Sequence, residues 1–229
     1  MRYLLVFLIV FFSLQNTSAQ IYEFGVFAGG SNFIGDVGAT NYIAPNQPAI
    51  GAIVKWNRSP RHAFRASVIF TNLEAVDAES SDRRRQLRNY GFRNGLFEAS
   101  LGMEFTFFDF NLHDEKRKGT PYLYTGVTTA NHANFYFNNS GELIQENTNS
   151  WAFGIPITLG YKLSIASHFI LGAEIGARYT FSDELDGSVP DGDFRDVINF
   201  GNINSNDWYV FSGFTLTYTF GQRPCYCGF

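Results

Sequence analysis

The run Asp207-Trp-Tyr-Val-Phe-Ser-Gly-Phe-Thr-Leu-Thr-Tyr-Thr-Phe-Gly221 alternates along nearly its whole length. From Trp208 every second residue is apolar (Trp208, Val210, Phe214, Leu216, Tyr218, Phe220), Ser212 being the exception, and the positions between, from Gly213 on, are Gly213, Thr215, Thr217 and Thr219. A period of two in β-branched and aromatic residues predicts a strand with one face in an apolar medium and the other near polar groups. At roughly 3.3 Å per residue, such a strand crosses an apolar band of ~25 Å even when tilted. Whether that band is a protein core or a lipid bilayer depends on the rest of the chain.

Seven further segments carry the same alternation. They are residues 21–30, with Tyr22, Phe24, Val26 and Ala28 on one face; 49–57, with Ile50, Ala52, Val54 and Trp56; and 63–71, with Phe64, Ala66, Val68 and Phe70. Next comes 97–107, where Phe97, Ala99, Leu101, Met103, Phe105 and Phe107 oppose Glu98, Ser100, Gly102, Glu104 and Thr106. A weaker run covers 121–130, and 151–163 and 168–181 complete the set. Pro156 interrupts the inner face of its strand and predicts a bulge or a missing ladder bond there. The connections alternate in length: short at 57–62, 109–120 and 164–167, long at 31–48, 72–90, 131–150 and 182–206. An even strand count with short turns at one end and long loops at the other is the pattern of an outer-membrane barrel. The expected fold is therefore all-β: an eight-stranded antiparallel transmembrane β-barrel with short periplasmic turns, long extracellular loops and both termini in the periplasm.

The N-terminus agrees with that compartment. Met1-Arg2 is a short positive region, Tyr3 to Phe12 an apolar core, and residues 13–19 a polar stretch ending in Ala19. This is the pattern of a secretory signal peptide over 1–19, cut before Gln20. The apolar run is about half the ~20 residues a spanning helix needs. The barrel would occupy 20–221 and a periplasmic tail 222–229. A net charge of −4 gives no footprint for nucleic acid.

The two faces tell lipid from water. A soluble barrel buries its apolar face and shows a charged one. Here the polar face is mostly Gly, Ser and Thr with eight charges: Glu23, Lys55, Arg65, Glu98, Glu104, Lys162, Glu174 and Arg178, four of each sign. Equal numbers suit a narrow lumen in which charges pair, because an unpaired buried charge costs several kcal/mol. Aromatics near strand ends (Tyr22, Trp56, Phe107, Trp151, Tyr161, Tyr179, Trp208, Phe220) fit interfacial girdles. The barrel is thus expected inside-out, apolar to lipid and polar within.

Little in the chain points to catalysis. His62, His113, His132 and His168 form no metal-ligand spacing, and His132, the one histidine expected near the outer rim, has no nucleophile signature beside it. No cofactor or metal is expected, and the protein is read as non-enzymatic. The last long loop is acidic (Asp183, Glu184, Asp186, Asp191, Asp193, Asp196, Asp207) and is expected to be solvated. Asp191-Gly-Asp193 opens like a calcium loop, but Arg195 and Asn202 stand where ligands belong. In the second long loop Arg83, Arg84, Arg85 and Arg88 lie near Asp77, Glu79 and Asp82, which favours local pairing or a partner site over a polyanion clamp. In the tail, Cys225 and Cys227 close on each other only in a strained ring. Two readings stand there: incidental thiols or a strained internal bond, and an intermolecular disulfide to a partner in an oxidising compartment.

Several stretches resemble one family. Tyr22-Glu-Phe-Gly-Val-Phe-Ala-Gly-Gly-Ser-Asn-Phe-Ile-Gly-Asp-Val-Gly38 resembles the opening of the PorG family, small outer-membrane barrels of the type IX secretion system. Tyr42-Ile-Ala-Pro-Asn-Gln-Pro-Ala-Ile-Gly51, Arg84-Arg-Gln-Leu-Arg-Asn-Tyr-Gly-Phe92, Thr120-Pro-Tyr-Leu-Tyr-Thr-Gly126, Ile155-Pro-Ile-Thr-Leu-Gly-Tyr-Lys162 and Arg178-Tyr-Thr-Phe-Ser-Asp-Glu-Leu-Asp186 are similar to the same family. The resemblance implies a noncatalytic anchor for a periplasmic ring built from a PorK-like lipoprotein and a PorN-like protein, serving protein export and, in gliding species, motility. The alternative reading of the chain is a surface adhesion or ligand-binding barrel that acts through its long loops.

Overall fold

The computed structural model describes residues 21–112, 117–190, 198–202 and 205–220. The expected signal segment 1–19, the Asp191–Asp193 run and the tail with Cys225 and Cys227 lie outside the described residues. Eight strands follow one another: β1 Ile21–Ile34, β2 Gln47–Asn57, β3 His62–Val76, β4 Gly91–Thr106, β5 Gly119–Phe137, β6 Leu143–Ser164, β7 Phe169–Thr180 and β8 Trp208–Phe220. Each pairs antiparallel with the next, and β8 returns to β1 from Phe220↔Tyr22 to Trp208↔Ile34, so the sheet closes as a barrel. Closure matters physically: a strand edge in lipid would leave a row of unsatisfied backbone groups.

The outward positions are those of the apolar series. Phe24, Ile50, Phe70, Leu101, Val127, Phe153, Leu159 and Phe214 are all exposed. Val127 at 65% and Phe214 at 64% exposure sit in mid-strand, which no water-soluble barrel tolerates over a contiguous surface. Aromatic pairs ring the belt at both ends. At the short-turn end Tyr22 stacks on Phe220 at 5.9 Å and Trp56 meets Phe64 at 5.4 Å. At the long-loop end Phe97 meets Phe70 and Trp151, and Tyr179 meets Trp208 at 4.8 Å. An apolar belt between two aromatic girdles is the outer surface of a bilayer-spanning barrel.

Inside, glycine makes room for bulk. A Cβ on Gly160 would collide with the Tyr122 ring, and one on Gly176 with the Thr158 hydroxyl. The large inner side chains fit because the wall facing them is bare backbone.

Two expectations need correction. The lumen is not polar throughout. Toward the long-loop end Phe27, Ile53, Ile69, Leu96 and Phe211 line it, and Phe33, Leu73, Phe92 and Phe135 continue the cluster up to Val37 and Leu185 in the loops. Because the loops close over that end, apolar packing there excludes water and costs nothing in solvation. Second, 131–150 is not a loop. β5 and β6 stay paired up to Phe137↔Leu143, beyond the last β4 partner at Leu96↔His132 and the last β7 partner at Gly154↔Thr180. They overhang as a two-stranded ribbon with a register shift between Ala133 and Phe135. The turn 138–142 that joins them is the shortest at this end. Polar residues on both sides of the ribbon hide its period in sequence. Pairing also lapses between Thr125↔Ile157 and Thr128↔Gly154, opposite Pro156, which has no N–H to give.

If the belt meets lipid, Val127→Arg should lower the unfolding free energy in bilayers by ~2–4 kcal/mol, as a cation does at a barrel midplane. Urea titration of the refolded protein in vesicles measures this; an unchanged midpoint would mean that the outer face is not in hydrocarbon.

Candidate functional site

The eight inner charges are all buried and all face the lumen. On the short-turn side Glu23 accepts hydrogen bonds from Asn57 Nδ2 and Thr217 Oγ1, both at 2.8 Å. Glu104 lies between two ammonium groups, with Lys55 Nζ 2.7 Å from Oε2 and Lys162 Nζ 2.7 Å from Oε1. Arg65 forks onto Glu174 with Nη1 at 2.7 Å and Nη2 at 2.8 Å, its guanidinium 4.7 Å from the centre of the Tyr124 ring. The Tyr122 hydroxyl donates to the same Glu174. Higher up, Arg178 meets Glu98 at 3.2 Å, Tyr209 donates to Glu98 at 2.6 Å, and the Arg178 guanidinium packs on Phe211. Strand alternation aims these groups inward, and register brings partners from distant strands to one level. The result is an electrically neutral set of inner charges, buried and bonded across the lumen.

His132 also faces inward, buried near the long-loop end of β5, beside the Ala133 carbonyl. His62 is exposed and 3.1 Å from the Ser59 hydroxyl, and His168 stacks on Tyr218. These histidines lie on different parts of the barrel, and no cluster fit for a metal occurs among the described residues. His113 lies outside them.

The second constellation is a crown over the long-loop end, built from residues 35–46, 77–90, 181–190, 198–202 and 205–207. Its staples are carboxylates. Asp186 Oδ2 accepts the Asp36 and Val37 N–H groups at 2.8 and 3.1 Å, while its Oδ1 takes the Ser188 N–H at 2.9 Å. Asp77 accepts from Gly38 N, Tyr90 N and, by two bonds, Arg88. Asp207 Oδ2 takes the Leu185 N–H at 3.0 Å, and Asp36 Oδ2 takes that of Asn202 at 2.8 Å. Arg85 donates to the Gly35 and Gly38 carbonyls, and Arg88 to that of Asp36. A short helix α1, Arg83–Arg88, carries both arginines. Asp82 caps its N-terminus through Arg84 N, and Asn89 ends it at φ 59°.

This corrects the reading of the acidic last loop as solvated: Asp186 and Asp207 are fully buried. Sequence reasoning missed them because composition cannot distinguish a carboxylate in water from one capping backbone N–H groups. The nearest signal was the Asp and Ser in Leu185-Asp-Gly-Ser188, a pairing typical of a turn. The second loop does pair locally, through Asp77 and Arg88.

Burial raises the carboxyl pKa of Asp186 above its usual value. Asp207 is pushed up well above that value, by burial first and by the neighbouring Asp186 and Asp183 next. Asp82, on the surface of the crown, is held below its usual range by the Arg84 N–H.

A family model described as a domain of unknown function, DUF6089, matches residues 2–229. No curated protein matches the chain. Similar solved structures include Ail, the attachment invasion locus protein of Yersinia pestis, crystallised with the heparin analogue sucrose octasulfate. It shares 9% identity at a TM-score of 0.44, covering 88% of this chain and 99% of that one. The N-terminal β-barrel domain of Pseudomonas aeruginosa OprF shares 11% at 0.44, with coverage of 89% and 98%. A major outer membrane protein from Thermus thermophilus shares 13% at 0.44, covering 88% and 100%.

Two predictions concern these constellations. Glu104→Gln leaves Lys55 and Lys162 without a counter-charge and should cost ~3–5 kcal/mol, as breaking a buried pair does. Urea unfolding of the folded band on unheated gels reads the loss. In the crown, a carboxyl with a raised folded pKa stabilises fully below the ordinary value near ~4 and loses that contribution as pH rises through the folded value. Amide protection around Leu185, normalised for intrinsic exchange, should therefore fall from acid to neutral pH, and Asp207→Asn should flatten the slope. An equal slope in the variant would mean that another group sets it.

Proposed function

The chain belongs to the DUF6089 family, and we propose that it is a non-enzymatic outer-membrane anchor of a protein secretion machine. The observation that carries this reading is the filled lumen. An interior of this width is just filled by side chains, and the charges and aromatic rings across it argue against an open pore and favour a barrel that presents its two ends to partners while held in lipid. Its lipid-facing belt supports a place in the outer membrane, and an exported precursor with the signal pattern at 1–19 fits the same compartment.

The resemblance to the PorG family supports the finer reading: a type IX secretion component that binds a periplasmic ring of PorK-like lipoprotein and PorN-like protein, serving export or gliding. In this orientation the short-turn end, where β1 starts and β8 ends, faces the periplasm. The turns 58–61, 107–118 and 165–168 and the tail with Cys225 and Cys227 are then the surfaces within reach of the ring, and either cysteine is a candidate for a disulfide to it. The alternative, a ligand-binding or adhesion barrel acting through its loops, is favoured by one observation: the crown is cross-linked and holds a pocket.

Gene deletion followed by trimming separates the two. Deletion should block export of surface proteins, and a chain with loops 77–90 and 138–142 shortened should restore it. Normal export in the deletion strain would sink the secretion role; loss of export on trimming would move the function to the loops.

A further inference from the structure

The crown holds a cavity of about 390 Å³ that opens to solvent between α1 and the last long loop. Its size falls at the lower end of the ~300–1,000 Å³ usual for small-molecule sites. Arg84, Arg85 and Arg88 line it from α1 together with Asp82, the cap of that helix, and Asp36, Gly201 and Asn202 complete the lining. Among the described residues the lining contains no apolar side chain larger than glycine, which excludes a greasy ligand.

The three arginines are not equivalent. Arg88 is consumed: its guanidinium meets both oxygens of Asp77 and the Asp36 carbonyl and packs on Tyr90 and Phe200. Arg85 is anchored but not consumed. Nη1 holds two backbone carbonyls at 2.8 and 2.9 Å, while Nη2 stands 4.0 Å from Asp36 Oδ1, beyond hydrogen-bond length. Arg84 is 91% exposed and reaches the Asp82 carboxylate at 3.4 Å. A guanidinium anchored on backbone and an exposed one therefore face the same space. Asp36 cannot turn away, because Asn202 N holds it and Gly201 backs it so closely that a Cβ there would collide with Oδ2.

We infer that this cavity binds a small, polyhydroxylated anion, with its phosphate or carboxylate taken by Arg84 and Arg85 and its hydroxyls donating to Asp36 and Asp82. Guanidinium groups suit an oxyanion because their N–H groups lie in a planar fork. Arg88 is balanced by Asp77, so Arg84 and Arg85 stand against Asp36 and Asp82; the guanidinium groups offer N–H donors to an oxyanion, and the carboxylates accept hydroxyl hydrogens that an inorganic anion lacks. Phosphorylated and uronic-acid sugars carry this chemistry, whether free or on a lipid headgroup. The inference rests on the crown alone and is independent of the secretion role.

The test uses the mature full-length barrel in nanodiscs of neutral phosphatidylcholine at low salt, titrated calorimetrically with glucose 6-phosphate, glucuronate and glucose. Saturable binding of either anion and none of glucose is expected. Arg84→Ala should weaken it by about tenfold or more, the usual weight of a charge-assisted hydrogen bond. Arg83→Ala, on the same turn but outside the cavity, should leave it unchanged. Nanodiscs containing lipid A distinguish the source: free probe displaced by the lipid identifies a headgroup phosphate, and undiminished binding identifies a soluble sugar. No saturable binding up to about 10 mM, or equal binding by Arg84→Ala, overturns the site. Arg85→Lys, which keeps the charge but loses the fork, gives a second readout and should also bind more weakly.

Discussion

Eight strands closed on themselves leave an interior the width of side chains, and every group placed there must be satisfied by another group on the wall. This protein approaches the condition with four carboxylates against two lysines and two arginines, while Arg65 Nε and His132 Nε2 stay buried without a hydrogen-bond partner. Glu104 sits between Lys55 and Lys162, and Arg65 lies near both Glu104 and Glu174, so neighbouring pairs merge into a network spanning opposite walls of the barrel. Phenol groups complete it: Tyr122 and Tyr209 donate to carboxylates already engaged by a guanidinium. In a medium of low dielectric such bonds are strong only when complete, which ties the identities of residues far apart in sequence to one another.

The structure therefore changes solvent along its axis. Lipid lies around the belt, paired charge fills the lower lumen, aromatic rings fill the upper lumen, and a carboxylate-stapled crown meets water. Each layer makes the next possible. The aromatic plug avoids hydration because the crown covers it, and the crown's backbone N–H groups find acceptors in Asp36, Asp77, Asp186 and Asp207 where a regular sheet offers none. Burial raises the carboxyl pKa of two of those carboxylates, Asp186 and Asp207, and the charge of Asp186 raises that of Asp207 further.

Strand number, direction and the lipid-facing residues were legible in the sequence, because a period of two with aromatic ends is imposed by lipid on every strand. The inner charges were legible for the same reason, their sign balance standing out on an otherwise small-residue face. Their partners were not: that Glu104 meets Lys162 and not Arg178 depends on register, which alternation leaves open. Ile53 and Ile69 stood on the inner face of their strands in plain view, yet an apolar lumen makes sense only once the loops are known to cover it. The crown was least legible. Arg85 and Asp186 act on backbone groups in other loops, and backbone leaves no mark in composition.

The overhanging β5–β6 ribbon has a bearing on how copies of this protein behave when crowded. Above Gly154 the flank of β6 has no β7 partner among the described residues, so a row of backbone groups faces sideways over the membrane surface. A regular edge of that kind would invite the matching edge of a neighbouring barrel. Asn147 stands at φ 56° in the middle of the row and breaks its regularity. The ribbon thus carries its own safeguard against lateral polymerisation, and a packed array of these barrels can stay an array of single molecules.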